Sequence, residues 1–116
     1  MCEKWSGVDV AKVMNFLDVA GVSGGAYRFQ LAGEGAPVSV MGGEFVYVKA
    51  ESRGWTLVFA AESNNLSADA HRRWQEAVSQ HGANRLYTRL NVAASARDTE
   101  LADILAQYDP PMNRAS

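Results

Sequence analysis

Two stretches carry residue types that could do chemistry. The first is Trp55–Leu66, WTLVFAAESNNL, in which a β-run passes through the small polar turn Glu62-Ser63-Asn64-Asn65 into a helix. Backbone N–H groups converge at such a junction, which makes it a natural place to hold a phosphate or a catalytic group. The second is the alternating run Arg85–Val92, where period-two spacing puts Arg85, Tyr87 and Arg89 on one strand face. Together with Arg28 and Arg114, these residues could combine phosphate contacts with base stacking. Neither a structural zinc site nor an internal disulfide is expected. Cys2 is the single cysteine, and His71 and His81 have no ligand spacing to it or to each other.

The bulk properties bound what surrounds these stretches. A chain of 116 residues, 47% hydrophobic and 21% charged, fits one domain with a real core and leaves no room for a second. A formal charge of −2 and a pI of about 5.6 argue against broad electrostatic adhesion to nucleic acid, though they permit a local basic patch. No apolar run approaches membrane-spanning length, and the start MCEKWSG lacks the pattern of a secretory signal. A cytoplasmic location and no membrane partner are the corresponding expectations.

The elements that must position the chemistry follow from periodicity. Val8–Val19 sets Val10, Val13, Met14 and Leu17 at helical spacing, with Ser6 as N-cap and Gly21, Gly24 and Gly25 as the stop; residues 1–22 therefore read as an N-terminal helical extension. Ala26–Leu31 alternates as a half-buried strand. Val38–Met41 and Glu44–Lys49 flank Gly42-Gly43, a dipeptide suited to a two-residue hairpin turn. Ser52–Gly54 reads as a further turn, after which Trp55–Ala61 is the next strand. A helix capped by Asn65 or Ser67 runs from Leu66 to His81-Gly82 on the apolar face Ala70, Trp74, Ala77 and Val78. After the strand Arg85–Val92, Ser95 caps a last helix with the stripe Leu101, Ile104, Leu105 and Tyr108, ended by Pro110-Pro111.

Several of these fragments resemble the GIY-YIG nuclease family. Gly25-Ala26-Tyr27 resembles the first family tripeptide and Phe59-Ala60-Ala61 the second, and the Glu62–Leu66 segment is similar to the family's polar turn ending in Asn-Leu. Glu100 in DTELADIL resembles the helix-borne glutamate, and QYDPPMN resembles the tail in which an asparagine follows a proline-containing turn. The resemblance covers most of 25–113. It implies an α/β fold of the α+β type: a small antiparallel sheet of three core strands, here plus an inserted hairpin at 38–54, flanked by helices.

The resemblance also implies an activity, hydrolysis of phosphodiester bonds with one Mg²⁺ or Mn²⁺. Tyr27 would then stand near the attacking water, Arg73 on the phosphate and Glu100 on the metal, since one carboxylate with waters and phosphate oxygens makes an adequate Mg²⁺ shell. Arg28, Arg85, Arg89 and Asn113 would bind nucleic acid, DNA ahead of RNA. Two departures weigh against catalysis. Phe and Ala replace Tyr and Gly in the second tripeptide, and the usual spacing to the phosphate arginine lands on Asp69, so that Arg73, one helical turn on, must take its place. The alternative is a catalytically inactive module of the same build that binds nucleic acid or a protein partner.

Overall fold

The Gly43–Glu51 and Gly54–Ser63 segments are rich in β-branched and aromatic residues and are joined by the two residues Ser52 and Arg53, the recipe for a hairpin. A computed structural model describes residues 15–32 and 38–114, and this hairpin is its longest paired unit. In chain order the described elements are β1 (Phe16–Ala20), β2 (Ala26–Leu31), β3 (Gly43–Glu51), β4 (Gly54–Ser63), α1 (Leu66–Asp69), α2 (Trp74–His81), β5 (Arg85–Leu90), α3 (Ala94–Gln107) and α4 (Pro111–Arg114). The strands form one antiparallel sheet in the order β1-β2-β5-β3-β4. The class is α+β, with helices on both faces of the sheet.

Alternation along the strands divides the core in two. One face carries Leu17, Val19, Phe29, Val46, Val48 and Tyr87 and is covered by α3 through Ile104. The other carries Phe45, Tyr47, Phe59 and Leu86 and is covered by Leu66, Ala77 and Met112 from α1, α2 and α4. Register shifts once, between Tyr47 opposite Phe59 and Val48 opposite Leu57, so Val58 is an extra residue that bends β4.

Several expectations change. The helix over 8–19 is not helical where it can be seen: Phe16–Ala20 is strand β1, and 8–14 lie outside the described residues. Leu17 belongs to the expected helical stripe but also alternates with Val19 as the inward residues of a strand do, and five residue pairs with β2 decide the matter. Val38–Met41 is not a strand and Gly42-Gly43 is not a turn, because Gly43 pairs with Ser63 on one side and Leu90 on the other. The reversal between β3 and β4 falls at Ser52 and Arg53, within the turn expected at Ser52–Gly54, and β3 is an interior strand between β5 and β4.

The helix over 66–81 comes as two pieces. Asn65 caps α1, its Oδ1 accepting from the Ala68 N–H. The Tyr47 hydroxyl then enters the break, donating to the Ala70 carbonyl at 2.6 Å and accepting from the Arg73 N–H at 3.3 Å. In a continuous helix the Ala70 carbonyl would serve the Trp74 N–H, which bonds His71 instead. Gly82 closes α2 in the left-handed conformation, φ +73°, that glycine accepts without a Cβ clash. Strand β5 stops at Leu90, two residues short of expectation. Ala93 is the N-cap of α3, with Ser95 inside its first turn.

Candidate functional site

The polar turn between β4 and α1 is held from inside. Ser63 Oγ donates to Asp69 Oδ2 at 2.6 Å and accepts from the Asn65 N–H at 2.9 Å. Behind it lies Arg97 of α3, its side chain 4% exposed, donating to Glu62 at 2.9 Å, Asn64 Oδ1 at 2.5 Å and the Asn91 carbonyl at 3.0 Å. Gly42 makes room for that guanidinium, because a Cβ there would stand 2.6 Å from Arg97 Nη1. The groups that sequence suggested for a phosphate therefore form a buttress that ties α3 to the turn.

A second arginine is paired with the helix that carries the first. Arg89 of β5 bonds both Glu100 oxygens, Nε to Oε1 at 3.0 Å and Nη2 to Oε2 at 3.3 Å, and its Nε lies 3.6 Å from Glu44. Glu44 is 1% exposed, and neither of its oxygens has a hydrogen-bond donor in the ionised state. Three carboxylates, Glu44, Glu62 and Glu100, thus face two guanidiniums under the first half of α3. Neutrality requires one proton. Burial first, then the proximity of Glu100, pushes the Glu44 carboxyl up to about 8, so at neutral pH it keeps its proton and donates it to Glu100. Burial opposes ionisation of Glu100 too, but the hydrogen bonds from Arg89 and Glu44 outweigh it and hold that carboxyl below its ordinary value.

Tyr27, half-buried, comes close to this cluster. Arg89 lies over its ring, 5.5 Å from the centroid, and its hydroxyl donates to Asp103 at 2.6 Å. That bond raises the phenol's pKa, so less of Tyr27 is ionised at neutral pH than of an ordinary tyrosine. Asp103 also accepts from the Ser23 N–H at 2.9 Å and Ser23 Oγ at 2.6 Å, and these donors with Tyr27 hold its carboxyl low. The effect is to latch the β1–β2 turn onto α3.

The remaining residues of the expected site are scattered. Arg73 lies on the opposite face of the sheet, its guanidinium 5.0 Å over the Phe59 ring and bonded to Glu76 at 3.1 and 3.0 Å. The sheet separates it from Glu100 and Tyr27, so the three do not share a site. Arg28 is on the face of β2 away from Arg89, paired with Asp18 at 2.9 and 3.2 Å. Arg85 donates to the Asn84 carbonyl, and Arg114 lies 3.5 Å from Asp109. Tyr87 shares a face with Arg85 and Arg89, as its spacing predicts, but is fully buried beneath α3 and cannot stack on a base. Asn113 spends its amide on the edge of β4, accepting from the Ala60 N–H and donating to the Ala60 carbonyl, both at 2.9 Å.

The residues present do not fit a Mg²⁺ or Mn²⁺ ion. Both Glu100 oxygens are taken by Arg89, whose positive charge stands where a cation would have to approach. Among the described residues, no group of three or more His, Cys, Asp or Glu is arranged to hold a metal, and no helix is long and apolar enough to cross a membrane.

Sequence reasoning missed Glu44, Arg97 and Asp103. Two of these left a signal: Glu44 alternates with the inward Val46 and Val48, and Arg97 precedes Leu101 and Ile104 on one helical stripe. An inward charge on an apolar face announces a buried partner. No protein-family model matches this chain, and neither a curated protein nor a solved structure matches it significantly.

Proposed function

We propose that this chain is a catalytically inactive module of GIY-YIG-like build that works by binding a protein partner. The observation that carries the reading is the commitment of Glu100, Arg89, Tyr27 and Arg73 to internal partners, with Arg73 on the far side of the sheet. The build itself supports a likeness to that family: a hairpin, β3–β4, runs into the polar turn and Asn65-Leu66, followed by helices, a third strand, the Glu100 helix and Pro110–Asn113. On this reading the first tripeptide is Gly43-Glu44-Phe45 in the hairpin, in place of Gly25-Ala26-Tyr27. Phe45 and Phe59 then stand at both tyrosine positions and Asp69 at the arginine, and neither phenylalanine can exchange a proton.

A protein partner is favoured over nucleic acid by what the surface offers. Arg28, Arg85, Arg89 and Asn113 make no common basic face, whereas Val40, Met41, Leu90 and Val92 are all exposed at one end of the sheet, where the Asn91 N–H bonds the Gly42 carbonyl. The test is incubation with plasmid and branched DNA plus Mg²⁺ or Mn²⁺, alongside fluorescence anisotropy with DNA and RNA oligonucleotides. No nicking and no saturable binding are expected. Nicking abolished by Glu100→Ala would overturn the reading, and salt-sensitive oligonucleotide binding lost in Arg85→Ala or Arg89→Ala would replace protein by nucleic acid.

A further inference from the structure

The two edges of the sheet are treated differently. At the β4 edge, Asn113 occupies the outward N–H and C=O of Ala60. The β1 edge has no such cover among the described residues. Leu31 N–H donates to the Asn15 carbonyl at 2.7 Å and Gly21 N–H to the Gly25 carbonyl at 2.8 Å, which sets the phase of the ladder: Leu17 and Val19 turn their backbone groups toward β2, and Phe16, Asp18 and Ala20 turn theirs outward. The strand has no proline, lysine or bulge, the usual devices that block pairing, and Phe16 on its open face is 52% exposed.

We propose that β1 pairs with β1 of a second copy of this chain, antiparallel about a two-fold axis, to make a ten-stranded sheet. The outward groups of Phe16 and Asp18 match an extended backbone, and the charges select this strand's own copy and its register. Setting Asp18 opposite the second copy's Asp18 would put two carboxylates in one row, which is repulsive. A two-residue shift places Leu17 opposite its counterpart and each Asp18 opposite the other copy's Phe16. Over that ring lies Arg28, 5.4 Å from the centroid, so each acid meets the other copy's aromatic and cation pair. Arg28 also holds its own Asp18 at 2.9 and 3.2 Å, which removes the net charge from the edge. This proposal rests on the edge strand alone and is independent of the function proposed above.

The test uses the full chain from micromolar to millimolar concentration. Sedimentation should show the mass rising from 12.6 kDa to twice that value. Amide exchange at Phe16 and Asp18 should slow as the dimer forms, while Leu17 and Val19 stay protected throughout. Asp18→Pro removes an outward N–H without touching the β1–β2 ladder; it should fold, remain at the monomer mass and lose the concentration dependence. A single monomer mass throughout, outward amides equally protected in the monomer, or a folded Asp18→Pro variant that still dimerises would each overturn the proposal. If Asp18→Pro fails to fold, mass and amide pattern in the unmodified chain decide alone.

Discussion

Glu44 of β3 and Arg89 of β5 stand directly across the ladder from each other, yet the guanidinium makes its shorter contact, 3.0 Å against 3.6 Å, with Glu100 of α3. The cross-strand acid is thereby left to be stabilised by its own proton. A group at the position expected to serve a metal works as the acceptor in a neutralised cluster, and this accounts for both the burial and the lack of open catalytic geometry.

The first prediction concerns pH. Glu44 has a folded pKa of about 8 against an ordinary 4.5, so its favourable contribution is complete below the lower value, declines as pH rises between the two, and is lost above the higher. Glu44→Gln keeps the shape of the protonated acid and cannot ionise. It should match the parent near pH 4.5 and exceed it by about 1–3 kcal/mol at pH 9, the scale of an uncompensated buried polar group. Urea denaturation across this range measures the difference, and parallel pH profiles would refute the shared proton.

A second prediction separates the two arginines. Arg97 has three partners under α3, and its truncation leaves Glu62 and the Asn91 carbonyl behind. Arg97→Ala should cost about 3–5 kcal/mol, as breaking one side of a buried pair does. Arg97→Met with Glu62→Leu removes both charges and should recover a substantial part of that loss. Equal destabilisation in the single and double variants would show that the charge pairing is unimportant.

Much of this architecture was legible from local pattern. Strand β2, the start of β5, the Asn65 cap and the Gly82 stop all follow from residues within a few positions of themselves. Long-range relations were not legible. β1 is a strand because of its neighbour β2, Gly42-Gly43 lies beside Arg97 and the Arg89 backbone, and the α1–α2 break is made by a hydroxyl from β3. The expected site failed for the same reason. Helical and strand spacing can put Arg73 or Arg89 on a given face of its own element, but it cannot say that α2 and α3 lie on opposite faces of the sheet, or that Glu100 would meet Arg89 before any solvent.

Asn113 provides a third prediction. Its amide imitates one residue of an added strand against Ala60, so Asn113→Ala should cost about 1–2 kcal/mol for two backbone hydrogen bonds and speed amide exchange at Ala60 beyond the global change. Unchanged exchange at Ala60 would show that the contact does not protect the edge.

The last prediction returns to Tyr47, whose fully buried ring packs on Phe45, Phe59 and Trp74 while its hydroxyl holds the helix break open. Burial pushes that phenol up to about 12, so it stays a neutral donor at any ordinary pH. Tyr47→Phe retains the ring contacts and removes the one group that competes for the Ala70 carbonyl. The carbonyl then has the Trp74 N–H, four residues on, as its natural partner, and the segment 70–73 should become more helical. The two effects oppose each other: a lost buried hydrogen bond costs about 1 kcal/mol, and a recovered helical bond returns part of it. Backbone chemical shifts at 70–73 with a stability measurement read both at once. A variant that is destabilised with no gain in helicity there would mean that the break is set by the local sequence His71-Arg72-Arg73 and not by the hydroxyl from β3.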